Sequence, residues 1–139
     1  MMVELPEKKV GIISCSGEGC TEGSISRIAT RLVLEKLRPQ ETVTICLPLF
    51  LAGGGEERVF AKYYPTITVD GCDKLCAKIG TERYSGKPAS SIVVTDLTES
   101  PDCSRLRSRR RLDREALALA EKVAERIAQE VDEVLNHWR

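Results

Sequence analysis

The sequence has only one histidine, no excess of charge of either sign and no long run of apolar residues. Its 21 lysines and arginines balance 21 aspartates and glutamates, so it lacks the basic excess of proteins that bind nucleic acid or anionic membranes. The longest apolar run, residues 45–52, contains a proline and is far shorter than the roughly 20 residues that cross a bilayer. His137 is the only histidine and lies close to the carboxyl end, so we do not expect a Ser-His-Asp catalytic triad. We therefore expect no membrane and no nucleic acid as partners.

The start of the chain and its six cysteines bear on the cellular compartment. Residues 1–9 carry Glu4, Glu7 and two lysines and contain no apolar segment of the kind found in secretory signals, so we expect a cytoplasmic protein. In that reducing compartment, cysteines are metal ligands, catalytic thiols or small buried residues more often than halves of disulfides. The cysteines are therefore interpreted as thiols.

The apolar pattern alternates short strands with helices along one domain, which we expect to span residues 1–139. A chain of this length can bury an apolar core large enough to fold without stabilisation by disulfides or a metal ion. Apolar and β-branched runs predict strands at residues 10–14, 42–47, 66–69 and 91–95. Apolar residues three and four apart predict helices at residues 25–33 and about 112–135, with shorter helices at 56–64 and 73–79.

This alternation predicts a three-layer α/β fold. Continuous apolar runs such as residues 91–95 are typical of strands covered by helices on both faces of a sheet. Strands that alternate with helices pair in parallel. We expect four parallel strands in the order 2-1-3-4, as in flavodoxin-like and Rossmann-like folds.

Four cysteines follow the carboxyl ends of the predicted strands. Cys15 ends the first strand, Cys46 lies near the end of the second, Cys72 ends the third, and Cys76 falls in the first turn of the next helix. The carboxyl ends of parallel strands share one edge of the sheet, so the four thiols should converge there. Adjacent strands lie about 4.8 Å apart. Sulfurs around tetrahedral zinc are roughly 4 Å apart, and rotation of the cysteine side chains can bring the sulfurs to that separation. We therefore predict a metal site at this edge of the sheet.

The same residues resemble a known family. The resemblance lies in three segments, Ser14-Cys15-Ser16-Gly17, Cys46-Leu47, and Val69-Asp70-Gly71-Cys72 through Cys76-Ala77-Lys78. Together they resemble the DGC domain, named for its Asp-Gly-Cys motif, over about residues 9–97. The resemblance implies a small domain of no established biochemical role, in which four cysteines chelate zinc. Carried over to this chain, those four ligands are Cys15, Cys46, Cys72 and Cys76.

The chain also departs from the family pattern. Cys20 and Cys103 fall outside it, and residues 48–51 separate Cys46 from the glycines at 53–55, where relatives often continue directly with small residues. Cys20 is interpreted as an exposed spare thiol, with a replacement ligand or a redox partner of Cys15 as alternatives. Cys46, taken alone, is explained equally well as a small buried apolar residue.

The metal itself is left open, because four thiolates bind zinc or an iron–sulfur cluster. The Cys15-x4-Cys20 spacing is similar to part of a plant-type ferredoxin motif, but the Cys-x2-Cys that should follow is missing. An iron–sulfur or thiol-redox protein is therefore the main alternative to zinc. Metal handling or sensing is a further possibility if the site exchanges its ion.

An enzyme is a weaker alternative. The loop at residues 15–23 leads from a strand to a helix, as in the anion-binding loops of cysteine phosphatases and arsenate reductases. Those enzymes need Cys-x5-Arg, and here Thr21 occupies the arginine position. No reaction is predicted. Asp70 and Asp96, at strand ends, are expected to bond loop backbone rather than a ligand.

A basic segment lies between the fourth strand and the last helix. Its five arginines are Arg105, Arg107, Arg109, Arg110 and Arg111. Long links of this kind are often functional, so an anionic ligand or a protein partner at residues 105–111 is one hypothesis. A solvated surface offset by acids of the last helix is the favoured interpretation.

Overall fold

A computed structural model of the protein describes residues 8–17, 19–98 and 113–138. Its sheet consists of β1 (Val10–Ser14), β2 (Thr42–Thr44), β3 (Thr66–Asp70) and β4 (Ser90–Val93). All three strand pairings are parallel, and the strand order is β2-β1-β3-β4. The predicted α/β fold, with four parallel strands in the order 2-1-3-4, is confirmed.

The helices connect the strands in turn. After β1 comes α1 (Thr21–Leu32), which continues as a π-helical turn, Val33–Leu37. Three short helices precede β3, namely α2 (Leu47–Ala52), α3 (Gly55–Arg58) and α4 (Phe60–Tyr63). The remaining elements are α5 (Cys76–Tyr84), a 3-10 turn at Val94–Leu97 and the long α6 (Arg114–His137).

The sheet separates two apolar cores. Successive side chains of a strand point to opposite faces. Ile12 accordingly lies in the core under α1 and α6, whereas Ile13 lies in the core under α2 and α5. The first core also contains Ile67 and Val69 of β3. In the described part of the chain, helices therefore cover both faces of the sheet, which leaves the ends of the strands for a site.

Several predicted boundaries are wrong around the second strand and its neighbours. β2 ends at Thr44 rather than residue 47, and Pro48 lies in the first turn of α2, where the missing proline N–H costs no helical hydrogen bond. The single helix predicted at residues 56–64 is divided into α3 and α4. β4 ends at Val93 and passes into the 3-10 turn.

Two predicted features lie outside the described residues, namely Cys103 and the arginine segment at residues 105–111. Within the described ranges, no helix is long and apolar enough to cross a membrane.

Candidate functional site

Three of the four candidate cysteines flank β1 and β3, which are neighbours in the sheet. Cys15 follows β1 directly, and its backbone N–H donates to the Val69 carbonyl of β3 over 2.9 Å. Cys72 lies two residues beyond β3, and Cys76 is the first residue of α5. Parallel pairing therefore brings residues far apart in sequence to the carboxyl edge of the sheet, as predicted.

Cys15 is half-buried, and its sulfur is fixed by two neighbours. The backbone N–H of Gly71 donates to Cys15 Sγ over 3.3 Å. The Ser26 hydroxyl oxygen lies 3.4 Å from the same sulfur. The Ser26 O–H donates to the Gly23 carbonyl over 2.6 Å. Elements far apart in the chain thus contact one thiol.

Glycines make this close approach possible. A Cβ on Gly71 would overlap the Gly23 nitrogen and lie 2.6 Å from the Glu22 carbonyl carbon. A Cβ on Gly23 would in turn overlap the Gly17 carbonyl group. The loop after β1, the first turn of α1 and the end of β3 therefore pack backbone against backbone. Only glycine leaves room for that contact.

Asp70 organises the start of α5. Its buried carboxyl group accepts hydrogen bonds from the backbone N–H groups of Ala77, over 2.7 Å, and Lys78, over 3.1 Å. Leu75, the residue before the helix, has a left-handed φ of 56° and provides no side-chain cap. Burial raises the pKa of Asp70, and the two backbone hydrogen bonds oppose that rise. The predicted backbone role of Asp70 is confirmed.

Cys76 is influenced by the charges around it. Partial desolvation of its thiol is the largest cause of a raised pKa, although the residue as a whole is exposed. Asp70, and Cys15 and Cys72 in their ionised forms, raise the pKa further, in that order. These groups are close enough to disfavour further negative charge at the same place. A cation would relieve that repulsion.

Cys46 lies directly before α2, two residues beyond β2. It is exposed, so the interpretation of Cys46 as a buried apolar residue is wrong. Because β2 pairs with β1 in parallel, the start of α2 is at the same edge of the sheet as Cys15. An exposed cysteine at this position is free to turn its sulfur.

The remaining candidates are less central. Cys20 lies directly before α1. It was predicted to be exposed, but it is half-buried. Asp96 is exposed in the 3-10 turn. His137 ends α6 beside Pro65 and Ala89, which precede β3 and β4, so it lies at the opposite edge of the sheet from the cysteines.

A metal ion requires the thiols to move from the arrangement seen here. Among residues 8–17, 19–98 and 113–138, no three side chains of His, Cys, Asp or Glu are arranged so that they could hold a metal ion. The chemistry of the donor set nevertheless fits a soft divalent ion, since it consists of sulfur atoms. The exposed positions of Cys46 and Cys76 leave their side chains free to reorient.

Sequence reasoning missed two buried residues of α1. Ser26 is fully buried and touches the Cys15 sulfur. Glu22 is 2% exposed, and its Oε2 atom is buried without a hydrogen-bond partner in the described part of the chain. Both share the buried face of α1 with Ile25 and Ala29. The sequence did contain a signal for their burial, because both polar residues occur at the three- and four-residue spacing of the apolar face of the helix.

Comparison with known proteins supports the resemblance seen in the sequence. No curated protein and no solved structure matches the chain. The family model of the DGC domain matches residues 11–134, which begins near the predicted start at about residue 9 and extends past the predicted end at residue 97 to include most of α6. The three cysteine segments, the glycine packing and the Asp70 cap all fall within this match. The chain therefore belongs to the DGC domain family.

Proposed function

We propose that this chain is a cytoplasmic protein that binds one zinc ion through the sulfurs of Cys15, Cys46, Cys72 and Cys76. The observation that carries the proposal is that two candidate thiols lie close enough to a third, Cys76, to act on it electrostatically. After desolvation and the charge of Asp70, Cys15 and Cys72 in their ionised forms both contribute to the raised pKa of Cys76. A divalent ion would turn that repulsion into attraction, because each deprotonated sulfur would then face a positive charge.

Cys46 would supply the fourth sulfur. It follows β2, the neighbour of β1, and its exposure allows the side chain to rotate towards Cys15. Four thiolates around zinc carry a net negative charge, which backbone donors at the site would offset. The N–H of Gly71 already donates to one of these sulfurs.

The exposure of the proposed ligands favours metal handling or sensing. Cys46 and Cys76 are exposed, so a chelator or an acceptor protein could reach two of the four sulfurs directly. A zinc ion held in this way would exchange more readily than one enclosed by the core. The two apolar cores are built from side chains on the faces of the sheet and on the helices, so the ion would not be needed to assemble them.

Metal analysis of the purified protein tests the proposal. The chain is prepared under anaerobic conditions without chelator and without a histidine tag, and its metals are measured by elemental analysis. We expect about one zinc per chain and no visible colour. Protein that contains no metal would contradict the proposal, and a brown chromophore would instead support the iron–sulfur alternative.

A further inference from the structure

We propose that Ser26 is a positioning residue of the cysteine site, which orients the Cys15 sulfur and donates a hydrogen bond to it when that sulfur binds a metal ion. The inference rests on the proposed metal-binding function. It assigns a role to a fully buried hydroxyl group that lies outside the four-cysteine set.

The hydrogen bonds of Ser26 define the starting arrangement. A serine hydroxyl has one proton to donate. Ser26 gives it to the Gly23 carbonyl over 2.6 Å. The 3.4 Å contact with Cys15 is then one in which the thiol donates to the Ser26 oxygen. The Gly71 N–H donates to the same sulfur over 3.3 Å. Cys15 is thus held between an amide donor and a hydroxyl acceptor.

The role of the Ser26 hydroxyl group would reverse if Cys15 bound a metal ion. The thiol proton leaves to solvent when the sulfur binds the ion, and the sulfur then has no proton to donate to Ser26. The lone pairs of the Ser26 oxygen would face a negative sulfur unless the hydroxyl proton turned from the Gly23 carbonyl to Cys15. A hydrogen bond to an ionised acceptor is stronger than one between neutral groups, which favours that rotation. The sulfur would then accept two hydrogen bonds, from Ser26 and from Gly71.

This arrangement sets Cys15 apart from the other candidate ligands. Cys46 and Cys76 are exposed and can rotate, whereas Cys15 is half-buried with two fixed partners. Cys15 would therefore be the anchored ligand to which the mobile sulfurs adjust. Partners that orient a ligand in this way commonly contribute about 10- to 100-fold in metal affinity.

The test compares Ser26→Ala with Ser24→Ala in the full chain. Ser24 is on the same helix, about 200° around the axis from Ser26, so its substitution repeats the chemistry away from the sulfur. Zinc affinity is measured by competition with a chelator, and cobalt(II) is used as a spectroscopic probe. We expect Ser26→Ala to lower zinc affinity about 10-fold and Ser24→Ala to leave it unchanged. The sulfur-to-cobalt charge-transfer band should move to longer wavelength in Ser26→Ala alone, because the sulfur loses a hydrogen-bond donor.

Two further variants separate a positioning role from packing. Ser26→Thr keeps a hydroxyl group that can donate to the Cys15 sulfur, so its cobalt spectrum should match that of the unsubstituted protein. In a Cys15→Ser background, Ser26→Ala should have little additional effect on affinity. A cobalt spectrum that is unchanged in Ser26→Ala would overturn the inference, even if affinity fell. If the unsubstituted protein bound neither zinc nor cobalt, the proposed function would fail, and this inference with it.

Discussion

At the scale of single residues, the Asp-Gly-Cys motif divides into distinct physical roles. Asp70 fixes the first turn of α5 by accepting two backbone N–H groups. Gly71 allows α1 to approach and donates its own N–H to Cys15. The first two residues of the motif therefore place the loop that carries Cys72.

Substitution of Gly71 tests this role. In Gly71→Ala, the new methyl group would overlap Gly23 and lie 2.6 Å from the Glu22 carbonyl carbon, both of which are backbone atoms of α1. The helix has to move away, so we expect a loss of about 1–3 kcal/mol in the free energy of unfolding, measured by urea denaturation. Metal affinity should fall as well, because the donor to Cys15 moves.

Gly19→Ala is the matched control. Among the described residues other than its chain neighbours, no atom lies within 4 Å of a Cβ built on Gly19, so the same substitution there should leave the unfolding free energy nearly unchanged. If Gly71→Ala proved as stable as Gly19→Ala, the close packing described for Gly71 would be wrong.

At the scale of elements, an ion pair connects the end of the π-helical turn with α6. Arg38 Nε donates to Asp132 Oδ1 over 2.8 Å, and Arg38 Nη2 donates to Asp132 Oδ2 over 2.7 Å. The two side chains are partly exposed, so the pair is well oriented but screened by solvent. It adds a polar link to the apolar packing of α1 against α6.

The ion pair predicts a pH dependence of stability. The hydrogen bond from Arg38 holds the pKa of Asp132 below its ordinary value of 3.8. The unfolded chain therefore binds a proton at higher pH than the folded chain does. The contribution of Asp132 is full above the unfolded pKa and is lost as pH falls through the folded pKa.

We expect Asp132→Asn to lower the free energy of unfolding at pH 7 by roughly 0.5 kcal/mol. The difference from the unsubstituted protein should shrink as the pH is lowered below 4. Urea denaturation at several pH values measures this difference in the free energy of unfolding. Glu133→Gln is the control, since Glu133 is an exposed acid on the same helix. An equal effect of both substitutions, or one independent of pH, would argue against the ion pair.

At the scale of the whole molecule, the proposed site touches the cores through one of its four cysteines. The large core lies between the sheet and the α1–α6 layer, and the small core lies under α2 and α5. Of the candidate ligands, only Cys15 contacts a core. The fold should therefore persist when the metal is absent.

Serine substitutions of the cysteines test both the ligands and the independence of the fold. Cys72→Ser and Cys76→Ser should lose most of their zinc, because a neutral hydroxyl group is a far poorer ligand than a thiolate. Cys103→Ser, outside the family motif, should keep it. Circular dichroism should show all three proteins folded. Equal zinc content in the three variants would refute the ligand assignment, and unfolding of the first two would show that the metal is required for folding.

The sequence predicted best what depends on local pattern. The burial of β1 and β3 on both faces is visible as continuous apolar or β-branched runs, and their parallel order followed from the alternation with helices. α2 was missed because the second strand was predicted to run to residue 47, directly before Pro48, although proline is equally suited to the first turn of a helix. α5 was predicted to begin at residue 73. It begins three residues later, at Cys76, where the Asp70 carboxylate accepts a hydrogen bond from the N–H of Ala77 in the first turn.

By itself, the sequence determined the fold class and the set of cysteines at the carboxyl edge, because apolar periodicity and strand ends are local properties of the chain. Only the tertiary structure decided what surrounds the Cys15 sulfur. Gly71 is 56 residues away from Cys15, and Ser26 is 11 residues away on a helix whose direction is set by packing. A hydrogen bond between such groups leaves no periodic signal in the sequence, since it depends on how close two backbones can approach after the elements have assembled.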